Sequence, residues 1–239
     1  MQPVQNLNNF IDGLSDEVLK AFHDRSRLKK YRRGETVYIA GDQPTEMYQV
    51  VSGSIKLGNL TPDGREFLAI EFRDGDCFGE MGLIDNLPRA SNATAAKAVE
   101  LRVLPKADFN FLLDSYREFR QRCMLMLCRR YRYLYNLHTE ANAMNLPERL
   151  GLTIYRLAHV QGVVDTDGSC YVSISQEELG RMLGASRQTV NKELNALVSQ
   201  GAIELRYGKI YLPDLNAFEA RFASHSGPEV VLPTNLSFN

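Results

Sequence analysis

The stretch Gly75-Asp76-Cys77-Phe78-Gly79-Glu80-Met81-Gly82-Leu83, followed by Pro88-Arg89-Ala90-Ser91, sets an acid and a guanidinium at the two ends of a short connecting segment. Those residue types suit a sugar phosphate. A glycine lets backbone approach a ligand closely, a carboxylate accepts hydrogen bonds from hydroxyls, and a guanidinium offers parallel donors to an anionic phosphate. Each residue also has a purely structural reading, because glycines serve turns and an arginine after proline is commonly a surface or salt-bridge residue. A second group lies near the C-terminus: Ser186 can cap a helix that buries Val190, Leu194 and Leu197 and leaves Arg187, Gln188, Asn191 and Lys192 outward. On such a helix Arg187 could meet guanine O6 and N7 bidentately, while a solvated helix face would look the same. No arrangement of nucleophile, base and third residue is evident, so an enzyme is not expected.

The cysteines, at 77, 123, 128 and 170, form no CxxC pair, and no zinc or redox site is expected. The formal net charge of -1, from 28 basic and 29 acidic residues, makes no electrostatic case for nucleic acid. Any DNA contact must come from locally focused charge. The N-terminus lacks a basic region followed by an apolar run, and no stretch approaches a membrane span, so a cytoplasmic protein with no membrane partner is expected.

The elements that would position these groups are readable. Ser15 is placed to cap a helix through about Phe22. Short apolar or β-branched segments follow from about Thr36 to Leu104, punctuated by Gly34, Gly41-Asp42, Ser52-Gly53, Asp63-Gly64 and Asp74-Gly75. That pace implies an antiparallel sandwich or roll rather than βαβ units, with a hairpin turn at Pro62-Asp63-Gly64. Ser175 and Glu178 form a capping box before a helix through Leu183, and Gly184 supplies the turn to the next helix. Ile203-Glu204-Leu205 and Ile210-Tyr211-Leu212 flank Arg206-Tyr207-Gly208-Lys209, a hairpin with a basic turn, in which Lys209 is expected nearest a DNA phosphate. Together these give a winged helix-turn-helix pattern.

Between the two regions runs a long helix, from about Ser115 to Asn145. Met124, Leu127, Tyr131, Leu134, His138 and Ala141 recur at intervals of three and four along it, and arginines occupy its other faces. This spacing suits a two-stranded seam between protomers. An ordinary helix facing its own core would show the same spacing. Pro147, just past Asn145, fits the first turn of a new helix carrying Leu150, Ile154 and Leu157.

The glycine-acid cassette, the Arg129-Arg130 helix leading to Pro147-Glu148-Arg149, and Ser175 to Gly180 with Gly184 to Val190 occur in one order. In that order the chain resembles the cyclic-AMP receptor/FNR family of bacterial transcription regulators over about Leu14 to Leu212. The resemblance implies an α+β architecture. Residues 1–114 would form a cyclic-nucleotide-binding-like β-roll with an N-terminal helix, 115–145 a dimerisation helix, 146–222 a winged helix-turn-helix, and 223–239 a flexible tail. It implies effector contacts at Gly79, Glu80, Arg89, Ala90, Ser91, Leu134 and Tyr135, no required cofactor, and cyclic AMP or cyclic GMP as effector. The implied partners are a second copy of the chain, palindromic double-stranded DNA and RNA polymerase.

Departures from the family pattern are also visible. Leu134 and Tyr135 stand where cyclic-AMP-binding members have a Thr-Ser pair on adenine, which leaves base recognition without its hydroxyls. Gln188 and Lys192 replace Glu and Arg on the recognition helix, so an operator related to TGTGA but distinct from it is expected. The N-terminus has no cysteine cluster for iron and sulfur. Alternatives are the same DNA binder with a repurposed or ligand-independent pocket, and a nucleotide-binding interaction module without DNA binding.

Overall fold

The structure, a computed structural model, describes residues 7–60, 66–164 and 169–222. Its elements are α1 (Asp16–Asp24), β1 (Arg27–Tyr31), β2 (Thr36–Tyr38), β3 (Glu46–Ser52), β4 (Ser54–Leu60), β5 (Glu66–Arg73), β6 (Cys77–Phe78), α2 (Met81–Asp85), β7 (Asn92–Ala95), β8 (Val99–Pro105), α3 (Lys106–Ser115) and α4 (Arg117–Ala143). They are followed by α5 (Leu146–Gln161), β9 (Val163–Val164), β10 (Cys170–Ser173), α6 (Gln176–Leu183), α7 (Arg187–Ser199), β11 (Glu204–Arg206), β12 (Lys209–Leu212) and α8 (Leu215–Phe222). The described residues fall into two compact units that divide inside α4, between Arg130 and Tyr131.

In the first unit, two antiparallel sheets of order β1-β8-β3-β6 and β2-β7-β4-β5 form the roll. Alternation along the strands sends Tyr48 and Val50 of β3, Ile55 of β4, Ala93 and Ala95 of β7, and Leu101 and Val103 of β8 into one shared core. A second core lies where α1, α3 and the start of α4 cover the roll, built on Phe10, Phe22, Phe109, Leu112, Phe119 and Cys123. Phe119 meets Phe10 edge-on at 5.2 Å and Phe109 at 5.9 Å, and truncating so enclosed a ring costs about 3–5 kcal/mol. The expected turn at Pro62-Asp63-Gly64 lies outside the described residues, as does the expected tail at 223–239, although β4 and β5 on either side of the turn pair antiparallel. Ser15 precedes α1 but makes no side-chain cap; its hydroxyl donates instead to Glu118 Oε2 at 2.6 Å, tying α1 to α4.

The second unit, from Tyr131 onward, holds a four-stranded sheet of order β11-β12-β10-β9 with α5 to α8. Leu150, Ile154, Leu157, Leu179, Val190, Leu194 and Phe218 share its core. Both expected helix starts form. Asn145 Oδ1 accepts from the Glu148 amide at 3.0 Å while Glu148 reaches back to the Asn145 amide, and Ser175 and Glu178 make the same reciprocal pair. Arg149 donates to the Leu183 carbonyl at 2.6 Å, so this part of the Pro-Glu-Arg motif anchors the end of α6. Glu140, near the end of α4, is held twice by the buried Arg156 of α5.

Candidate functional site

The cassette lies where β6 runs into α2. Gly79 has φ +84, and a Cβ there would come within 2.9 Å of Arg89 Nη1 and 3.2 Å of the Tyr48 ring. Glycine is therefore required on two counts: the left-handed backbone and the close approach of the guanidinium. Arg89 is buried, with Nη1 donating to the Gly79 carbonyl at 2.6 Å and Nη2 to the Glu46 carbonyl. Its guanidinium carbon lies 4.3 Å from the centre of the Tyr38 ring. Burial pushes the hydroxyls of Tyr38 and Tyr48 well above the usual phenol range, so both rings stay neutral beneath the cation. Both terminal nitrogens expected to meet a phosphate thus have backbone partners in this conformation.

Glu80 is 1% exposed. Its Oε1 accepts from Arg130 Nη1 at 2.5 Å, and Arg130 also donates through Nε to Asn8 Oδ1 at 3.0 Å and through Nη2 to the Cys77 carbonyl at 2.6 Å. Asn8 in turn accepts from the Cys77 amide at 2.8 Å through its own carbonyl. One guanidinium from α4 thereby joins the cassette acid, the strand before it and the segment preceding α1. Glu80 Oε2 is buried with no hydrogen-bond partner among the described residues. Sequence reasoning found Glu80 and Arg89 but placed Arg130 among the charges on the outer faces of the long helix; its side chain is instead only 16% exposed, because it turns inward to the buried Glu80. The available signal was its place three or four residues from the buried row Phe119, Cys123 and Met126. Ala90 is exposed and Ser91 half-buried beyond Arg89.

Along α4, Met124, Tyr131, Leu134 and Tyr135 are 59%, 70%, 62% and 60% exposed. His138 and Ala141 are exposed as well. Leu127 departs from this row because it is half-buried against the protomer's own second core. An apolar row this open is covered by no element among the described residues, which is the condition a seam between protomers requires.

On the winged helix, Gly184 adopts the left-handed conformation at φ 65 and turns the chain between α6 and α7. Ser186 Oγ then accepts from the Thr189 amide at 3.1 Å. Val190, Leu194 and Leu197 face the core, while Ser186, Arg187, Gln188, Asn191 and Lys192 are exposed together. Asn191 Oδ1 accepts from Gln176 Nε2 at 2.9 Å. In the wing, Lys209 holds its ammonium 3.9 Å over the Tyr171 ring, and Arg206 lies over Tyr211. Lys209 is therefore seated on the face of the sheet in this conformation rather than projecting from the tip. Residues from α6, α7 and the wing, among them Gln176, Arg187 and Tyr207, line a cleft of about 450 Å³.

Residues 28–116 match the model of the cyclic nucleotide-binding domain, and residues 148–221 that of the Crp-like helix-turn-helix domain. A CRP-like cAMP-activated global transcriptional regulator of Mycobacterium tuberculosis is 28% identical over 204 residues, covering 84% of this chain and 91% of that one. The transcriptional regulator LdrP of Thermus thermophilus is 27% identical over 197 residues, covering 82% and 97%. A solved CRP-family transcriptional regulator from Thermus thermophilus superposes with a TM-score of 0.62 at 25% identity, covering 87% and 100%. The c-di-GMP responsive regulator CLP of Xanthomonas campestris shares the fold, with a TM-score of 0.66 at 22% identity over 83% and 99%. With both domain models matched in order on either side of the long α4, the chain belongs to the CRP/FNR family of transcription regulators.

Proposed function

We propose that this chain is a homodimeric DNA-binding transcription regulator whose roll pocket is repurposed, so that DNA binding does not depend on a cyclic nucleotide. The observation that carries the reading is the seat of Arg89. Both terminal nitrogens donate to backbone carbonyls and the guanidinium lies against Tyr38. A phosphate that takes over those two donors has to displace charge-assisted hydrogen bonds in a buried site, while Arg89 Nε lies buried without a partner among the described residues. Leu134 and Tyr135 supply no pair of hydroxyls for adenine. In this reading the exposed row on α4 pairs two protomers, residues 146–222 bind DNA, and Arg187 reads a guanine in each half of a two-fold-related site.

A cyclic-nucleotide-responsive reading has support of its own. Glu80 Oε2 is open to a hydroxyl donor, and the Mycobacterium tuberculosis relative is described as cAMP-activated. Selection of duplexes from a random pool, followed by fluorescence anisotropy with and without cyclic AMP and cyclic GMP, decides between the two. The expected result is a palindromic site bound with an affinity that neither nucleotide changes by more than about twofold. A tenfold gain with either nucleotide would establish the second reading. Selection of no two-fold-related site under any condition would refute DNA recognition by Arg187.

A further inference from the structure

The wing ends in a two-residue loop. Arg206 pairs with Lys209 across the hairpin, and the residues between them, Tyr207 and Gly208, have φ values of 47 and 76. Two successive positive φ angles define the tight turn that favours Asn-Gly or Gly-Gly, because a side chain at the first position is sterically strained. Tyr207 has a large aromatic side chain there, and at 105% relative exposure it is supported by no neighbour among the described residues. Neither the fold of the wing nor its core is served by this choice. A strained backbone carrying a fully exposed ring marks a position to be tested for function.

The surroundings say what the ring can reach. The neighbouring cations are turned aside, Arg206 over Tyr211 and Lys209 over Tyr171, so the tyrosine is the group that projects. The cleft of about 450 Å³ has Gln176 and Arg187 on one wall and the loop from Leu205 to Ile210 on the other. With the exposed face of α7 in a major groove, the element across such a cleft straddles one sugar-phosphate ridge. Its tip then arrives at the adjoining minor groove, which is about 6 Å wide.

We infer that Tyr207 enters the minor groove beside each half-site and makes the regulator selective for flanking sequence through groove width and the absence of the guanine 2-amino group. Aromatic and apolar side chains enter the minor groove as wedges at deformable base steps, and the guanine 2-amino group is the feature that distinguishes G·C from A·T there. This inference rests on the DNA-binding reading above and adds to it a determinant outside the recognition helix.

The test compares wild type with Tyr207→Gly and Tyr207→Asn, both suited to positive φ, by duplex selection, anisotropy and thermal unfolding. If the tyrosine acts on DNA, the variants keep or raise the unfolding midpoint, bind the wild-type duplex at least tenfold more weakly, and lose any A·T preference in the flanks. Their preference opposite Arg187 stays intact. For wild type, guanine-containing flanks should weaken binding and inosine in place of guanine should restore it. Variants that bind and select as wild type does overturn the inference while leaving DNA binding standing. The same holds if only transcription in a reconstituted system falls, which assigns the ring to a protein contact. Failure of wild type to select any duplex refutes the DNA-binding reading itself, and the inference with it.

Discussion

Replacing Arg130 with alanine isolates the contribution of the guanidinium that ties α4 to the cassette. The change removes the Glu80 ion pair and the donors to Asn8 Oδ1 and the Cys77 carbonyl. Glu80 is 1% exposed and its Oε2 already has no partner among the described residues, so the variant strands a carboxylate in the protein interior. Breaking a buried pair from one side costs about 3–5 kcal/mol. The Arg130 side chain retains 16% exposure, which admits some solvent and places the loss near the lower end, at about 3 kcal/mol. With a urea dependence of about 2 kcal/mol per molar, the midpoint of the roll's transition should fall by about 1.5 M. Far-UV circular dichroism of the full chain in urea measures this. The companion variant Arg130→Met with Glu80→Gln removes the stranded charge and should recover at least half of the loss. A midpoint within about 0.3 M of wild type for R130A would refute the stated strength of the link. A double variant no better than R130M would show that lost packing, not the stranded charge, is responsible.

Two further measurements probe other parts of the chain. Cys128 is exposed on α4, close to the open row, whereas Cys77, Cys123 and Cys170 are buried, and burial pushes the Cys123 thiol up to about 12. Labelling with an aromatic disulfide at pH 8 should therefore modify Cys128 alone, more slowly as protein concentration rises and the row on α4 pairs. A rate independent of concentration would place the protomer seam elsewhere. On α7, the bond from Gln176 to Asn191 Oδ1 leaves the Asn191 amino group to face a base, which favours an acceptor such as guanine or the thymine O4 over the two-point contact with adenine. Gln176→Ala should shift the selected base opposite Asn191 towards adenine by about 1 kcal/mol; an unchanged selection would show that Gln176 does not orient it.

The parts of this fold that were legible in sequence are those in which a local rule acts alone. The reciprocal cap at Ser175, the first-turn Pro147, the left-handed Gly184 and the alternation of the roll strands all depend on residues a few positions apart. The unread parts depend on distant partners. β1 was missed because four of its five residues, Arg27 to Lys30, are exposed, and its place is fixed by pairing with β8. α8 follows Asp214, whose carboxylate accepts from the Ala217 amide, and it lies so close to α5 that a Cβ on Gly151 would meet Phe222 at 2.2 Å. Nothing adjacent to Gly151 announces that contact. At the cassette the residue types of Glu80 and Arg89 were informative about what they could bind. Which atoms they bind in this conformation depends on Glu46, Tyr38 and Arg130, each tens of residues away.

The helix α4 bears two rows, one residue out of phase. Phe119, Cys123, Met126, Arg130 and Glu140 turn towards partners within the chain, while Met124, Tyr131, Leu134, His138 and Ala141 remain open. A single inserted residue rotates everything after it by about 100°. The open face would then carry the inward row, presenting Arg130 where Tyr131 had stood and Glu140 where Ala141 had stood. Seven inserted residues restore both rows to within about 20°. The number of residues in α4 is therefore constrained in phase: additions near whole numbers of turns keep both rows in place, and a change of one residue is read as a change of face.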